Sequence, residues 1–192
     1  MRRKNIIIIV VATALLLMVP LVAMQYTEEV KWSVIDFVVA GILLLGAGLT
    51  YEFVANRGGS LAYRVGVGVG CAAGLGLIWV NLAVGLIGNE DNPANALYVS
   101  VLAVALIGIA LARFEPRKMS RAMYAAAIAQ AIVPVIAMII WKPPFAIGVL
   151  LTFGANALFV ALWVVSASLF RHASDVDPKW SRSIGVEQLP RN

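Results

Sequence analysis

Residues 122–141 read A-M-Y-A-A-A-I-A-Q-A-I-V-P-V-I-A-M-I-I-W. Arg121 stands before this run and Lys142 after it, with no charged side chain between them. The run does not alternate apolar and polar residues, as the ~10-residue strand of a membrane barrel does. Its length matches the ~20 residues that a helix needs to cross a ~30 Å hydrocarbon layer. A helix also satisfies its backbone hydrogen bonds within one segment, which such a layer demands.

Five more runs of this kind follow from the same reading. The spans are expected over 5–24, 34–54, 63–88, 94–112, 122–141 and 145–169, joined by short loops. The 192 residues are 61% hydrophobic and 13% charged, with mean hydropathy +0.90. That leaves too little polar surface to cover a water-soluble core. The expected fold class is all-α: a polytopic membrane protein, a six-transmembrane-helix bundle forming one domain over residues 1–170. A polar tail follows over 171–192. Arg2, Arg3 and Lys4 before the first span also suit a signal peptide, with Val22-Ala23 as a loose cleavage site. Leu21 is not small, however, and the apolar core is long, so a retained helix is expected.

The basic residues set the orientation. Arg2, Arg3, Lys4, Arg57, Arg64, Arg113, Arg117, Lys118, Arg121, Arg171, Lys179, Arg182 and Arg191 fall on one side of this layout, 13 of the 15. Only Lys31 and Lys142 fall on the other. The positive-inside rule makes the first side cytoplasmic and puts both termini there. The net charge of +5 is thereby accounted for by topology, with no nucleic-acid partner implied. Trp32, Tyr98 and Trp141 are expected at the outer boundary, and Tyr51, Tyr63 and Phe170 at the inner one.

Composition also excludes several chemistries. His172 is the only histidine and Cys71 the only cysteine, whereas zinc sites need clusters of Cys, His and carboxylates. The glycine string at 66–76 follows no strand and lacks a terminal G-K-[ST], so it is no phosphate loop. No metal, cofactor or catalytic centre is expected. Gly66, Gly70 and Gly74 instead make two G-x-x-x-G steps, which let helix backbones approach closely. They predict tight packing within the chain, or else a face for a protein partner or a second copy.

Residues 79–95, W-V-N-L-A-V-G-L-I-G-N-E-D-N-P-A-N, break from an apolar helix into a polar burst. Pro93 is favoured at a first helical position, so Asn92 is expected to cap the fourth span, accepting from the amide near Asn95. Glu90 and Asp91 form an acidic outer loop at the positive end of that helix. With Glu28, Glu29 and Asp36 they outnumber the two outer lysines, and an acidic mouth gathers cations. Asp36 stands out, because a carboxylate about one turn inside a span needs a partner or a role. Glu52, at the inner end of the same span, is expected to snorkel or to pair with Arg57 or Arg64.

Depth arithmetic adds a second set. At ~1.5 Å per residue, Gln130 lies roughly 16 Å below Trp141, and Asn156 about as far below Phe145. They sit on consecutive antiparallel spans and are expected to meet near the midplane. Pro134 frees the carbonyl of Gln130 beside them. Nearer the outside, Asn81, Ser100 and Thr152 fall at similar depths on three spans. Two readings fit these residues. In one they are hydrogen-bonded glue between helices; in the other Asp36, Asn81, Ser100, Thr152, Gln130 and Asn156 form a polar line from the mouth to mid-membrane. The first is preferred. A shared R-x-x-S-x-A at 57–62 and 117–122, with Gly48 and Gly108 at the same offset, is read as the common need for a basic turn rather than as a duplication.

The run at 79–95, a W-x-N-L-A-V-G-x-I-G-x-E-D-N-P-A-N motif, resembles a family of uncharacterised small bacterial integral membrane proteins. D-F-V-V-A-G at 36–41, G-L-T-Y-E at 48–52 and Y-R-V at 63–65 extend the resemblance. It covers the first four spans better than the last two. It implies the bacterial inner membrane, with the lipid bilayer as the constant partner, and brings no activity. The expected function is that of a non-catalytic accessory, assembly or packing protein, with a small cation or proton transporter or channel as the alternative.

Overall fold

The computed structural model describes residues 3–142 and 147–176. Among the described residues it is all-helical, with no strand, and six helices are long and apolar enough to cross a membrane. The α-helices are α1 (Arg3–Tyr26), α2 (Val34–Ala55), α3 (Leu61–Ala83), α4 (Tyr98–Ala112), α5 (Pro116–Trp141) and α6 (Ile147–Val176), and the fourth candidate span, Pro93–Ala112, includes the turn before α4. A 3-10 turn over Pro93–Leu97 leads into α4. The chain forms two compact units, Met1–Asn56 and Arg57–Asn192.

The first unit is the α1–α2 hairpin. Ser33 starts α2 through a capping box: its hydroxyl accepts from Asp36 N–H at 3.3 Å, and Asp36 Oδ2 accepts from Ser33 N–H at 2.7 Å. This satisfies backbone donors that the first helical turn leaves over. Gly48 lets α1 come close, for a Cβ there would fall 2.6 Å from Ile9 Cγ2. At the far end Glu52, 7% exposed, accepts from Asn5 Nδ2 and Asn56 Nδ2, each at 2.7 Å. Glu52 thus ties the start of α1 to the end of α2, rather than snorkelling outward.

The second unit packs α6 against α3 and α5, and α4 against α5. Small residues set these approaches. Ser166 of α6 inserts into the glycine notch of α3, donating to Gly66 O at 2.8 Å. A Cβ at Gly66 would lie 3.3 Å from Leu169 Cβ, and one at Gly70 would lie 3.1 Å from Ser166 Oγ. Gly74 has Trp163 and Leu102 at ordinary contact distance. The stripe of Gly66, Gly70 and Gly74 therefore faces α6 inside the chain. Gly108 brings α4 onto α5 in the same way, 2.6 Å from Ala122 Cβ to an added Cβ.

Several boundaries differ from those read in the sequence. The third helix stops at Ala83 rather than 88, because Gly85 and Gly88 adopt φ of +69° and +75°, where glycine carries no steric penalty. Hydropathy runs on through Val84–Ile87 and hides that stop. The fourth begins as a 3-10 turn. The fifth starts six residues early, at Pro116, whose fixed φ suits the first helical position. The sixth continues through Arg171 and His172 to Val176, so the first six residues of the expected tail are helical; nothing there breaks the backbone ladder once the apolar run ends. Phe145, and residues 177–192 of the tail, lie outside the described residues. The two R-x-x-S-x-A segments are not equivalent: Ser60 caps α3, whereas Ser120 is buried within α5.

The aromatic residues also differ from expectation. Tyr63, Phe170 and Tyr98 are 1%, 1% and 2% exposed, so they line the interior and not a headgroup layer. Tyr63 and Phe170 meet edge to face, centroids 5.1 Å apart. The Tyr63 hydroxyl donates to Phe114 O at 3.1 Å, bracing a turn in which Arg113 and Phe114 both have positive φ. Arg57 lies over the Phe114 ring, 5.1 Å from its centroid.

Overpacking a tight helix contact costs about 1–3 kcal/mol. Gly70→Leu should therefore lower the detergent-solubilised melting temperature by several degrees. Gly154→Ala, which has nothing within 4 Å of the new methyl, should leave it unchanged. Equal melting temperatures for both variants would show that the glycine face of α3 is not packed on α6.

Candidate functional site

Three helices of the second unit, α4, α5 and α6, each contribute a polar side chain to one network. Asn156 of α6 is the hub. Gln130 Nε2 of α5 donates to Asn156 Oδ1 at 2.8 Å, so the two residues matched by depth do meet. Asn156 Nδ2 donates to the Tyr98 hydroxyl of α4 at 2.8 Å and to Thr152 O of its own helix at 2.8 Å. The Tyr98 hydroxyl donates to Asn156 Oδ1 at 3.1 Å. Gln130 is fully buried and Asn156 is 2% exposed. Three helices are thus joined through one amide.

The network lies in α4, α5 and α6 because each helix turns one polar residue inward amid apolar neighbours. Gln130 shares its face of α5 with Met123, Ala126, Ala127, Val133 and Pro134, all buried. Asn156 shares its face of α6 with Phe159 and Trp163. Tyr98 opens α4 directly after the 3-10 turn and is 2% exposed. Its place in the network was not read from the sequence. The signal was weak: a tyrosine at the end of a helix that is apolar but for Ser100 looks the same whether it faces lipid or a neighbour.

The side chains of the other expected residues make no bond to Asn156, Gln130 or Tyr98 among the described residues. Thr152 Oγ1 donates to Leu86 O at 2.9 Å, pinning the loop after α3 to α6. Asn81 Nδ2 donates to Leu77 O of its own helix at 2.7 Å. Ser100 is exposed and donates to Leu97 O at 2.6 Å, a bond within its own turn. Asp36 belongs to the hairpin unit, is exposed, and accepts from both the N–H and the hydroxyl of Ser33. Its partner is local. Glu90 and Asp91 are exposed in a turn, and the α-helix at whose positive end they were expected begins only at Tyr98. Asn92 does cap the 3-10 turn, accepting from Ala94 N–H at 2.9 Å rather than from Asn95.

Asn95 organises the corner, a role the sequence reading missed. Its Oδ1 accepts from Ile87 N–H at 2.9 Å, and its Nδ2 donates to Asn89 O at 2.6 Å. Gly85 makes room, because a Cβ there would fall 2.6 Å from Asn95 Nδ2. The burst at 89–95 is a turn folded around one buried amide.

Three buried side-chain atoms have no hydrogen-bond partner among the described residues: Asn81 Oδ1, Gln130 Oε1 and Trp163 Nε1. Two are acceptors and one is a donor. Among the described residues, no three His, Cys, Asp or Glu side chains gather where an ion could be held. No family model, curated protein or solved structure matches the chain.

Removing one partner of a buried hydrogen bond strands the other, whereas removing both does not. Asn156→Leu strands Gln130 and Tyr98 together, so it should cost more than Gln130→Leu, which should cost about 1 kcal/mol as membrane hydrogen bonds do. The double variant should be more stable than the sum of the two losses. A double-mutant cycle in detergent that closes additively would show that the two amides do not interact.

Proposed function

We propose that this chain is a multi-pass protein of the bacterial inner membrane, with both termini in the cytoplasm. We further infer a non-catalytic accessory or assembly role, carried by a packed helical module. The membrane reading is supported by exposed apolar surface: Ile8 at 64%, Leu111 at 75% and Ile139 at 66% suit hydrocarbon and not water. The 13-to-2 division of basic residues supports the orientation. The resemblance of residues 79–95 supports a bacterial inner membrane.

The observation that carries the packing role is the Gln130–Asn156–Tyr98 network, in which every hydrogen-bonding position of the Asn156 amide is engaged. These three buried polar side chains bind one another across three helices. Asp36, the only expected acid inside a span on the acidic side, is engaged by Ser33. The glycine stripe of α3 lies against α6, which favours packing within the chain over a dimer face. One observation favours the alternative, a cation or proton path: Asn81 Oδ1 and Gln130 Oε1 are buried acceptors without partners.

Two measurements test this reading. Reporter fusions on the C-terminal tail and after Asp91 should place the tail in the cytoplasm and Asp91 outside; a periplasmic tail would overturn the six-span topology. Purified protein in liposomes should pass no protons or monovalent cations above a protein-free control. A flux abolished by Asp36→Asn, or by joint replacement of Gln130 and Asn156 with Leu, would promote the transporter.

A further inference from the structure

The outer surface where α5 meets α6 carries an ordered arrangement that the packing role does not use. The Tyr124 and Ser168 hydroxyls lie 3.3 Å apart across the two helices. Residues three apart on a helix share a face. Arg121 therefore flanks Tyr124 one turn toward the basic end, and Arg171 flanks Ser168 in the same direction on the antiparallel helix. One turn the other way stand Ile128, 62% exposed, and Val164, 36% exposed. Along both helices the order is the same: guanidinium, hydroxyl, apolar side chain.

Both arginines are exposed, and neither has an ion pair among the described residues. Lys118 differs, being paired with Glu115 at 2.7 Å. The nearest acid on α6 is Asp175, one turn beyond Arg171, where its Oδ1 accepts from the Ser174 hydroxyl at 3.1 Å. Arg117 continues the basic face one turn before Arg121. The hydroxyl pair is itself loosely made, since 3.3 Å exceeds the 2.5–3.0 Å usual for O–H···O bonds. Ser168 donates to Val164 O at 2.9 Å. Tyr124 is then the donor across the gap, and it can turn to a better acceptor with little loss.

A ligand for this surface must offer an anion to two guanidiniums, an oxygen acceptor at the next level, and apolar chains beyond. We propose that the α5–α6 surface binds an anionic phospholipid, its phosphate held by Arg121 and Arg171 and its glycerol-ester oxygen by Tyr124. Arginine suits the phosphate because its planar fork makes paired, charge-assisted hydrogen bonds. Basic pockets between membrane helices on the cytoplasmic side take such headgroups. The acyl chains then lie along Ile128 and Val164. A soluble phosphate matches only the first of the three levels.

This inference rests on the membrane reading, and its test is kept independent of topology. The full chain is purified in a neutral detergent, and its melting temperature is measured with phosphatidylglycerol, with phosphatidylcholine at equal mole fraction, and with inorganic phosphate. Phosphatidylglycerol should raise the melting temperature by several degrees over phosphatidylcholine, and phosphate should not. The increment should vanish when Arg121 and Arg171 are both changed to Gln, shrink in Tyr124→Phe, and persist in Arg64→Gln. Native mass spectrometry of the wild type should retain phosphatidylglycerol adducts in preference to phosphatidylcholine, so the idea remains testable if the double variant folds poorly. Equal stabilisation by both lipids, an increment unchanged in the double variant, or an equal shift from phosphate alone would each overturn the site. Because these readings are made in micelles, they stand or fall apart from the reporter fusions.

Discussion

The four-helix unit depends on the hydrogen bonds of one amide. Asn156 carries two donors and an acceptor with two lone pairs, and here both donors and both acceptor positions are engaged. In hydrocarbon an amide left unpaired costs several kcal/mol, so the alternatives to this arrangement are poor. A rotation of α6 that took Asn156 off the axis would strand Gln130 and Tyr98 at once. The contact consequently fixes the phase of three helices whose apolar surfaces alone would slide over one another with little penalty. Pairing a single polar residue per helix is an efficient way to choose one packing among many, in the manner of a polar position that sets register in a coiled coil.

Close packing of small residues does the complementary work. Lipid chains are as apolar as leucine, so apolar side chains gain little by exchanging lipid for one another, and helices associate through tight van der Waals fit and interhelical hydrogen bonds. Ser166 against Gly66 and Gly70 supplies both, because its hydroxyl reaches a backbone carbonyl that a larger residue in α3 would cover. Gly108 against Ala122 supplies the first between α4 and α5. The amide hub lies near one end of the unit and the Ser166 notch toward the other, so α6 is held at two levels against rotation and against sliding.

Much of this was legible in the sequence, for reasons that also mark where legibility ends. Span number followed from apolar run length, and the meeting of Gln130 with Asn156 followed from equal depth on adjacent antiparallel helices. Both are one-dimensional properties. The direction a ring faces is a matter of rotational phase, and α4 has no polar stripe to reveal it, so Tyr98, like Tyr63 and Phe170, was assigned to an interface that it does not face. The stop at Ala83 was hidden because Val84–Ile87 is as apolar as the helix before it. Only Gly85 and Gly88, read as backbone signals rather than as small packing residues, point to the turn. Asp36 was legible as a residue needing a partner, but Ser33, three residues away, was passed over in favour of more distant possibilities.

The corner between α3 and α4 shows how these levels connect. Asn95 gathers Ile87 and Asn89 into a compact loop only because Gly85 leaves space for its amide. That loop presents Leu86 O to Thr152, one turn before Asn156 on α6. Thr152 O in turn accepts from Asn156 itself. The path from Asn95 to Gln130 thus runs through side-chain and backbone bonds in alternation, and each step satisfies a group that the previous step left over. A segment that reads as a polar interruption is the point at which the loop is fastened to the polar layer. Glu90 and Asp91 remain exposed at its tip, where charge needs no protein partner. Within one short burst, Asn95 and the acids therefore have opposite fates: a neutral amide with several hydrogen-bonding atoms is drawn inward, and carboxylates that only water can solvate cheaply stay out.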